Sequence, residues 1–220
     1  YSNQYVDLME KKHLQIESNI IYENNHEFDN IYLTDNRIRY GLNDDLEIFS
    51  DIDLVYSKDQ GYGLMPLGFG LKVNIKEETK YFPDISFLGS LQTSNISSKK
   101  FVMDNPLPMF TFIFQKQLGE KIGFEADYSM QWLNQVLKPS HIFELAASYQ
   151  LSDKFSASLG LINFTNENDA TNFITEIGFS GDVNKNLSIA LEVGKYYDHI
   201  DQNYYIGFGI IKNFSLNIKQ

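Results

Sequence analysis

Between Leu14 and Tyr22 the chain alternates: Leu14, Ile16, Ser18, Ile20 and Tyr22 take every second position, with Gln15, Glu17 and Asn19 between them. Successive side chains of a β-strand project to opposite faces, so this run predicts a strand with one apolar and one polar face. Leu46 to Tyr56 repeats the pattern, setting Leu46, Ile48, Ser50, Ile52, Leu54 and Tyr56 against Glu47, Phe49, Asp51, Asp53 and Val55. Lys121 to Gln131 does the same, with Ile122, Phe124, Ala126, Tyr128 and Met130 against Gly123, Glu125, Asp127, Ser129 and Gln131. Comparable runs cover Ile31 to Tyr40, Leu64 to Lys76, Asp84 to Gln92, Pro106 to Gln117, His141 to Gln150, Phe155 to Phe164, Asn172 to Ser180, Leu187 to Tyr197 and Asn203 to Phe214. Together they predict about twelve strands, joined as hairpins by turn signals such as Gly41 to Asp45.

The connections tend to alternate in length. Leu118 to Glu120, Leu151 to Lys154 and Gly181 to Asn186 are short, whereas Thr93 to Asn105 and Trp132 to Ser140 are longer. Short periplasmic turns and longer outer loops are the signature of an outer-membrane β-barrel, and the expected fold is therefore all-β: a single antiparallel up-and-down transmembrane barrel. An even strand count places both termini in the periplasm, with residues 1–13 as an N-terminal periplasmic segment and 215–220 as a short C-terminal tail. First and last strands should pair, because an open strand edge in hydrocarbon leaves backbone groups unsatisfied. The competing architecture is a soluble β-sandwich or lipocalin-like barrel, since periodicity does not say which face points inward. Two features favour the membrane: the constancy of the polarity pattern, and the aromatic residues Tyr22, Tyr40, Tyr56, Tyr149 and Tyr204 near strand ends, where an interfacial girdle sits.

Composition agrees with an envelope β protein. Aromatic residues make up 15% of the 220 positions, and cysteine is absent, which removes disulfides, thiolate metal sites and cysteine nucleophiles. A net charge of -11, with few and scattered Lys and Arg, argues against a nucleic-acid partner. No run reaches the roughly 20 apolar residues of a membrane helix. The sequence starts at Tyr1, so a secretory leader is expected to have been removed and the destination to be the bacterial outer membrane.

With the apolar face toward lipid, the lumen receives Glu17, Asp35, Arg37, Arg39, Glu47, Asp51, Asp53, Lys72, Glu125, Asp127, Glu144, Glu176 and Glu192. Acids outnumber bases. The candidate lumen-lining and selectivity residues are Arg37, Arg39, Glu47, Asp51, Asp53, Lys72, Glu125, Asp127, Glu144, Glu176 and Glu192, whose summed field favours cations or neutral polar solutes. For any single carboxylate the plainer role is a solvated or Arg/Lys-paired lumen group, and in a barrel of this width inward side chains or a folded loop can also close the path. No catalytic residue, cofactor or metal is expected. Gly61-Tyr62-Gly63 and Gly68-Phe69-Gly70 read as loop and strand glycines, and the acidic sets at Asn43 to Asp45 and Asn166 to Asp169 read as turns without EF-hand spacing.

Arg39-Tyr40-Gly41-Leu42, then Asp45-Leu46-Glu47, Gly68-Phe69-Gly70-Leu71-Lys72 and Pro83-Asp84-Ile85-Ser86-Phe87-Leu88-Gly89 follow in an order that resembles a known family. It is the outer-membrane β-barrel transporter family named for the MetA pathway of phenol degradation. The resemblance covers Ile31 to Leu91 and implies an outer-membrane channel or transporter for small molecules, without implying phenol as the solute. On the matching positions, Arg39 and Glu47 flank a periplasmic turn and Lys72 lies near the same end of a nearby strand, a charge ladder at the lower pore.

Two other functions compete. An outer-membrane lipid hydrolase needs a serine and histidine pair on the lipid-facing wall. Of the histidines, His13 and His26 sit at or beyond strand ends and His199 lies in a loop, leaving His141, with Asn163 in diagonal reach but Ser129 facing the lumen. The other alternative is a non-transporting subunit of a larger envelope complex, with Met103 to Pro108 and Trp132 to Leu137 as apolar loop segments that invite a protein partner. Under the leading reading the partners are outer-membrane lipid and a small-molecule solute.

Overall fold

The computed structural model describes residues 8–24, 30–59, 61–132, 139–165, 172–197 and 203–216. They form one fourteen-stranded antiparallel sheet: β1 (His13–Asn24), β2 (Ile31–Asn43), β3 (Leu46–Asp51), β4 (Leu54–Ser57), β5 (Gly61–Leu64), β6 (Gly68–Lys76), β7 (Asp84–Gln92), β8 (Leu107–Leu118), β9 (Ile122–Gln131), β10 (Ser140–Ser152), β11 (Phe155–Thr165), β12 (Asn172–Asn184), β13 (Leu187–Tyr197) and β14 (Tyr204–Ser215). The sheet closes where β1 pairs with both β14 and β2, from His13↔Ser215 to Asn24↔Tyr204 on one side and from Leu14↔Tyr40 to Glu23↔Ile31 on the other. Because β3 continues into β4 and β5 into β6, the fourteen segments make a closed barrel of twelve staves.

The polarity of the wall decides between membrane and water. Glu17, Arg37, Arg39, Glu47, Lys72, Glu125, Asp127 and Glu176 are buried inside, while Ile20, Phe69, Phe112, Phe124, Leu145, Leu159, Ile177, Leu191 and Phe208 project outward. A soluble barrel would reverse this, so the outer surface is built for hydrocarbon and the architecture is that of an outer-membrane β-barrel. At one rim Tyr204, Tyr22, Tyr32, Tyr56 and Tyr62 run side by side, with ring centroids 6.3, 5.2, 6.1 and 4.4 Å apart in turn. This is one arc of an aromatic girdle.

The unbroken strands expected over Leu46 to Tyr56 and Leu64 to Lys76 are each interrupted. At residues 52–53 side chains from both sides of the break replace ladder bonds: Asn36 N–H donates to Asp53 Oδ1 (2.7 Å), Asn36 Nδ2 to the Ile52 carbonyl (2.9 Å), and Leu54 N–H to Thr34 Oγ1 (2.9 Å). The break therefore leaves these backbone groups satisfied, as a membrane wall requires. Gly61 to Gly63, expected as loop, instead opens β5, and the link between β7 and β8 lies along it. Ser98 N–H donates to the Leu64 carbonyl (3.0 Å), and Leu64 N–H to Ser98 Oγ (2.8 Å). A Cβ at Gly63 would fall 2.1 Å from the Phe101 ring, so only glycine admits that packing.

The turns at residues 44–45, 119–121, 153–154 and 185–186 gather at one end with residues 8–12 and 216, and the rule for such barrels makes this the periplasmic end. The alternation of lengths is imperfect: residues 77–83 form a longer link at the same end, and β4 is joined to β5 by a short one opposite. In the former, Lys116 donates to Glu78 Oε1 (2.7 Å), which with the Gln117 amide holds the Glu78 carboxyl below the usual carboxylate range. Residues 1–7 of the expected N-terminal segment, and 217–220 of the expected tail, lie outside the described residues, as do His26, His199, Asn166 to Asp169 and, beyond Trp132, the Trp132 to Leu137 segment.

Leu145, 57% exposed on the outer face of β10, tests the orientation of the wall. Leu145→Lys is expected to destabilise the barrel in phospholipid vesicles by about 2–4 kcal/mol, read from urea unfolding, whereas a water-facing position would tolerate it.

Candidate functional site in the lumen

Alternation along twelve staves delivers every sequence-predicted charged residue to the interior, at three levels. Near the periplasmic end Arg39 donates Nε to Glu47 Oε1 (2.9 Å) and Nη2 to Glu47 Oε2 (2.8 Å), and Nη1 reaches Glu17 Oε1 (3.0 Å) and Gln15 Oε1 (2.8 Å). One guanidinium thus bridges two carboxylates on β1 and β3, in the planar fork geometry suited to it. Lys72, 1% exposed, lies opposite Glu47 in the β3–β6 register.

The chain before β1 reaches this layer. The Met9 amide donates to Glu47 Oε2 (2.8 Å) and the Met9 side chain is buried. Gly41 permits the approach, since a Cβ there would stand 2.2 Å from the Glu10 carbonyl and 2.6 Å from that of Met9. Residues 8–10 of the segment expected to lie in the periplasm therefore line the lower mouth. Two smaller cavities flank it. One of about 310 Å³ includes Leu8 and Glu125, whose Oε2 accepts from Gln115 Nε2 (2.7 Å); the other, about 270 Å³, includes Glu17 and Glu192. Glu176, on the β12 wall, is buried.

Above the ion-pair layer lies a larger cavity, about 440 Å³, which brings together Arg37, Asp51, Asp53, Asp127 and Glu144. Arg37 grips Asp51 through Nε to Oδ1 (2.6 Å) and Nη2 to Oδ2 (3.1 Å), and its guanidinium stands 4.4 Å from the centre of the Phe49 ring. That stacking adds to the pair.

Sequence reasoning missed the apolar part of the lumen. Ile21, Ile162, Ile174 and Tyr205 pack together with Leu33, Ile142, Phe164 and Tyr196 against them, and Phe49, Leu88 and Ile113 form a second cluster with Met109. Tyr205, fully buried, occupies the space a Cβ of Gly194 would need, and Phe49 that of Gly70. The signal was present: Ile21 and Phe49 each share the parity of charged neighbours, so each had to point inward. Leu107, which falls both in the expected strand Pro106 to Gln117 and in the apolar loop segment Met103 to Pro108, opens β8 and is buried beside the upper cavity.

Among the described residues the hydrolase constellation is not assembled on the lipid-facing wall. His141 Nδ1 pairs with Tyr128 Oη (2.8 Å) under stacked rings, Asn163 stands opposite Phe143 and accepts from Thr165 Oγ1 (3.0 Å), and Ser129 hydrogen-bonds Thr111 inside. His13 begins β1, and its Nε2 pairs with Ser215 Oγ (2.8 Å) at the periplasmic rim.

No family model matches the chain, and no curated protein does. Solved structures share the fold. The COG4313 outer membrane channel from Pseudomonas putida F1 aligns with a TM-score of 0.73 at 12% identity, covering 97% of this chain and 99% of that one. The KdgM porin in complex with disordered oligogalacturonate gives 0.68 at 10%, covering 91% and 99%. The NanC porin gives 0.68 at 10%, covering 90% and 98%. At such identities the likeness establishes the barrel and leaves its chemistry to this chain's own residues.

Arg39→Ala leaves buried Glu17 and Glu47 without their shared guanidinium and is expected to cost about 3–5 kcal/mol of unfolding free energy in vesicles. Urea titration followed by tryptophan fluorescence measures it, with Glu192→Gln as the mild control.

Proposed function

We propose that this chain is an outer-membrane channel that passes small solutes through an acid-rich lumen, favouring cations and neutral polar molecules. The observation that carries the reading is the polar interior: inward carboxylates outnumber bases and line three cavities inside the barrel. In a low-dielectric wall such a field attracts cations and repels anions. The resemblance of Ile31 to Leu91 to the transporter family of the phenol-degradation MetA pathway supports a transporting barrel, and the channel and porin neighbours support it at the level of fold. An acidic sugar such as the one bound to the KdgM porin would meet like charge at Asp51, Asp53, Asp127 and Glu144 here.

Purified protein in planar bilayers under a salt gradient is expected to open with a reversal potential of the cation-selective sign. Replacing Asp53, Asp127 and Glu144 together by Asn, Asn and Gln should move that potential toward zero. A bilayer containing folded barrels that never opens would contradict the channel reading.

A further inference from the structure

We propose that the upper cavity binds a small organic cation, an ammonium group carried on an apolar alkyl or aryl body; the proposal rests on the reading of the lumen as a solute path. The cavity has two chemically different halves. Its acidic part holds Asp53, Asp127 and Glu144 beside the Arg37–Asp51 pair, and its apolar part holds Leu107, Met109, Ile142, Ile162 and Phe164. Bidentate pairing with Asp51 engages the guanidinium of Arg37, so the acidic groups of the cavity outnumber its bases. Asp127 is 7% exposed, lines the cavity, and its Oδ1 accepts no hydrogen bond from the described residues; nor does Oε1 of Glu144. A buried carboxylate oxygen without a donor is costly, and an ammonium supplies N–H donors and the opposite charge together.

Two observations separate an organic cation from an inorganic one. No group of three or more acidic or histidine side chains among the described residues is close enough to hold a metal ion, so the carboxylates are spread too widely to replace a hydration shell. The apolar half would also give nothing to a hydrated ion, whereas it can bury the body of an amphipathic one. The volume of about 440 Å³ falls within the range of small-molecule sites.

The test uses the full chain folded in detergent, with folding checked by its heat-dependent gel migration, and calorimetric titration with three probes. Phenylethylammonium should bind saturably. Phenylethanol, which keeps the body and loses the charge, and tetramethylammonium, which keeps the charge and loses the body, should each bind at least about tenfold more weakly. Asp127→Asn and Glu144→Gln should each weaken the ammonium about tenfold, while Phe164→Ala should weaken it and leave tetramethylammonium unchanged. Equal binding of the alcohol, no binding of the ammonium, or full affinity in both carboxylate variants overturns the proposal. If Asp127→Asn fails to fold, Glu144→Gln and the alcohol comparison on the native chain still decide it. Ammonium binding to a barrel that shows no conductance supports the site and overturns only the path. Cation-selective conductance without ammonium binding does the reverse.

Discussion

Every backbone N–H and C=O that crosses hydrocarbon must find a partner within the protein, and from that requirement the rest of this structure follows. A strand satisfies it only with neighbours on both sides, so the sheet runs round until β1 meets β14. Where β3 gives way to β4, the ladder fails and the side chains of Asn36, Asp53 and Thr34 take over. Closure also fixes polarity. With lipid outside, the polar half of each alternating strand has nowhere to go but inward, and Glu17, Glu47, Glu125, Asp127 and Glu176 are buried there together.

That concentration is manageable only with compensation, and the compensation is uneven. Near the periplasmic end one guanidinium serves Glu17 and Glu47 together, and the Met9 amide adds a further donor to Glu47. Higher up, Arg37 is committed to Asp51, while the apolar clusters around Tyr205 and Ile113 narrow the space. The result is a lumen divided by a tight ionic layer, with a larger amphipathic chamber on the outer side. Function, on this account, resides in the part of the lumen where compensation is least complete.

Much of the fold was legible because barrel strands carry a strict two-residue period. Parity alone placed Arg39, Glu47, Asp127 and Glu176 inside, and the turn residues Asp44 and Asp45 marked a hairpin where one occurs. The break at 52–53 was illegible, since it does not interrupt the alternation sharply and its replacement bonds involve β2, whereas the break at 65–67 carried an overlooked signal in Pro66, which has no N–H to give to a ladder. The apolar clusters of the lumen were overlooked for another reason: a mean polarity per face hides an exception, and Phe49 between Glu47 and Asp51 is such an exception. Which charges share a cavity depends on stagger around the barrel, which no single strand encodes. The approach of residues 8–10 to Glu47 depends on Gly41, whose lack of a Cβ serves two possible roles, turn and clearance, that the sequence cannot separate.

The absence of native cysteine makes the central claim directly measurable. Single cysteines placed along β9 at Phe124, Glu125, Ala126, Asp127, Tyr128 and Ser129, in protein folded into phospholipid vesicles, can be timed against water-soluble thiol reagents of either charge. The account predicts labelling at the odd positions alone, faster with the cationic reagent than with the anionic one at Ser129→Cys, where the neighbouring acids are intact. Labelling of the even positions with protection of the odd ones, or equal rates for the two charges at Ser129→Cys, would contradict it.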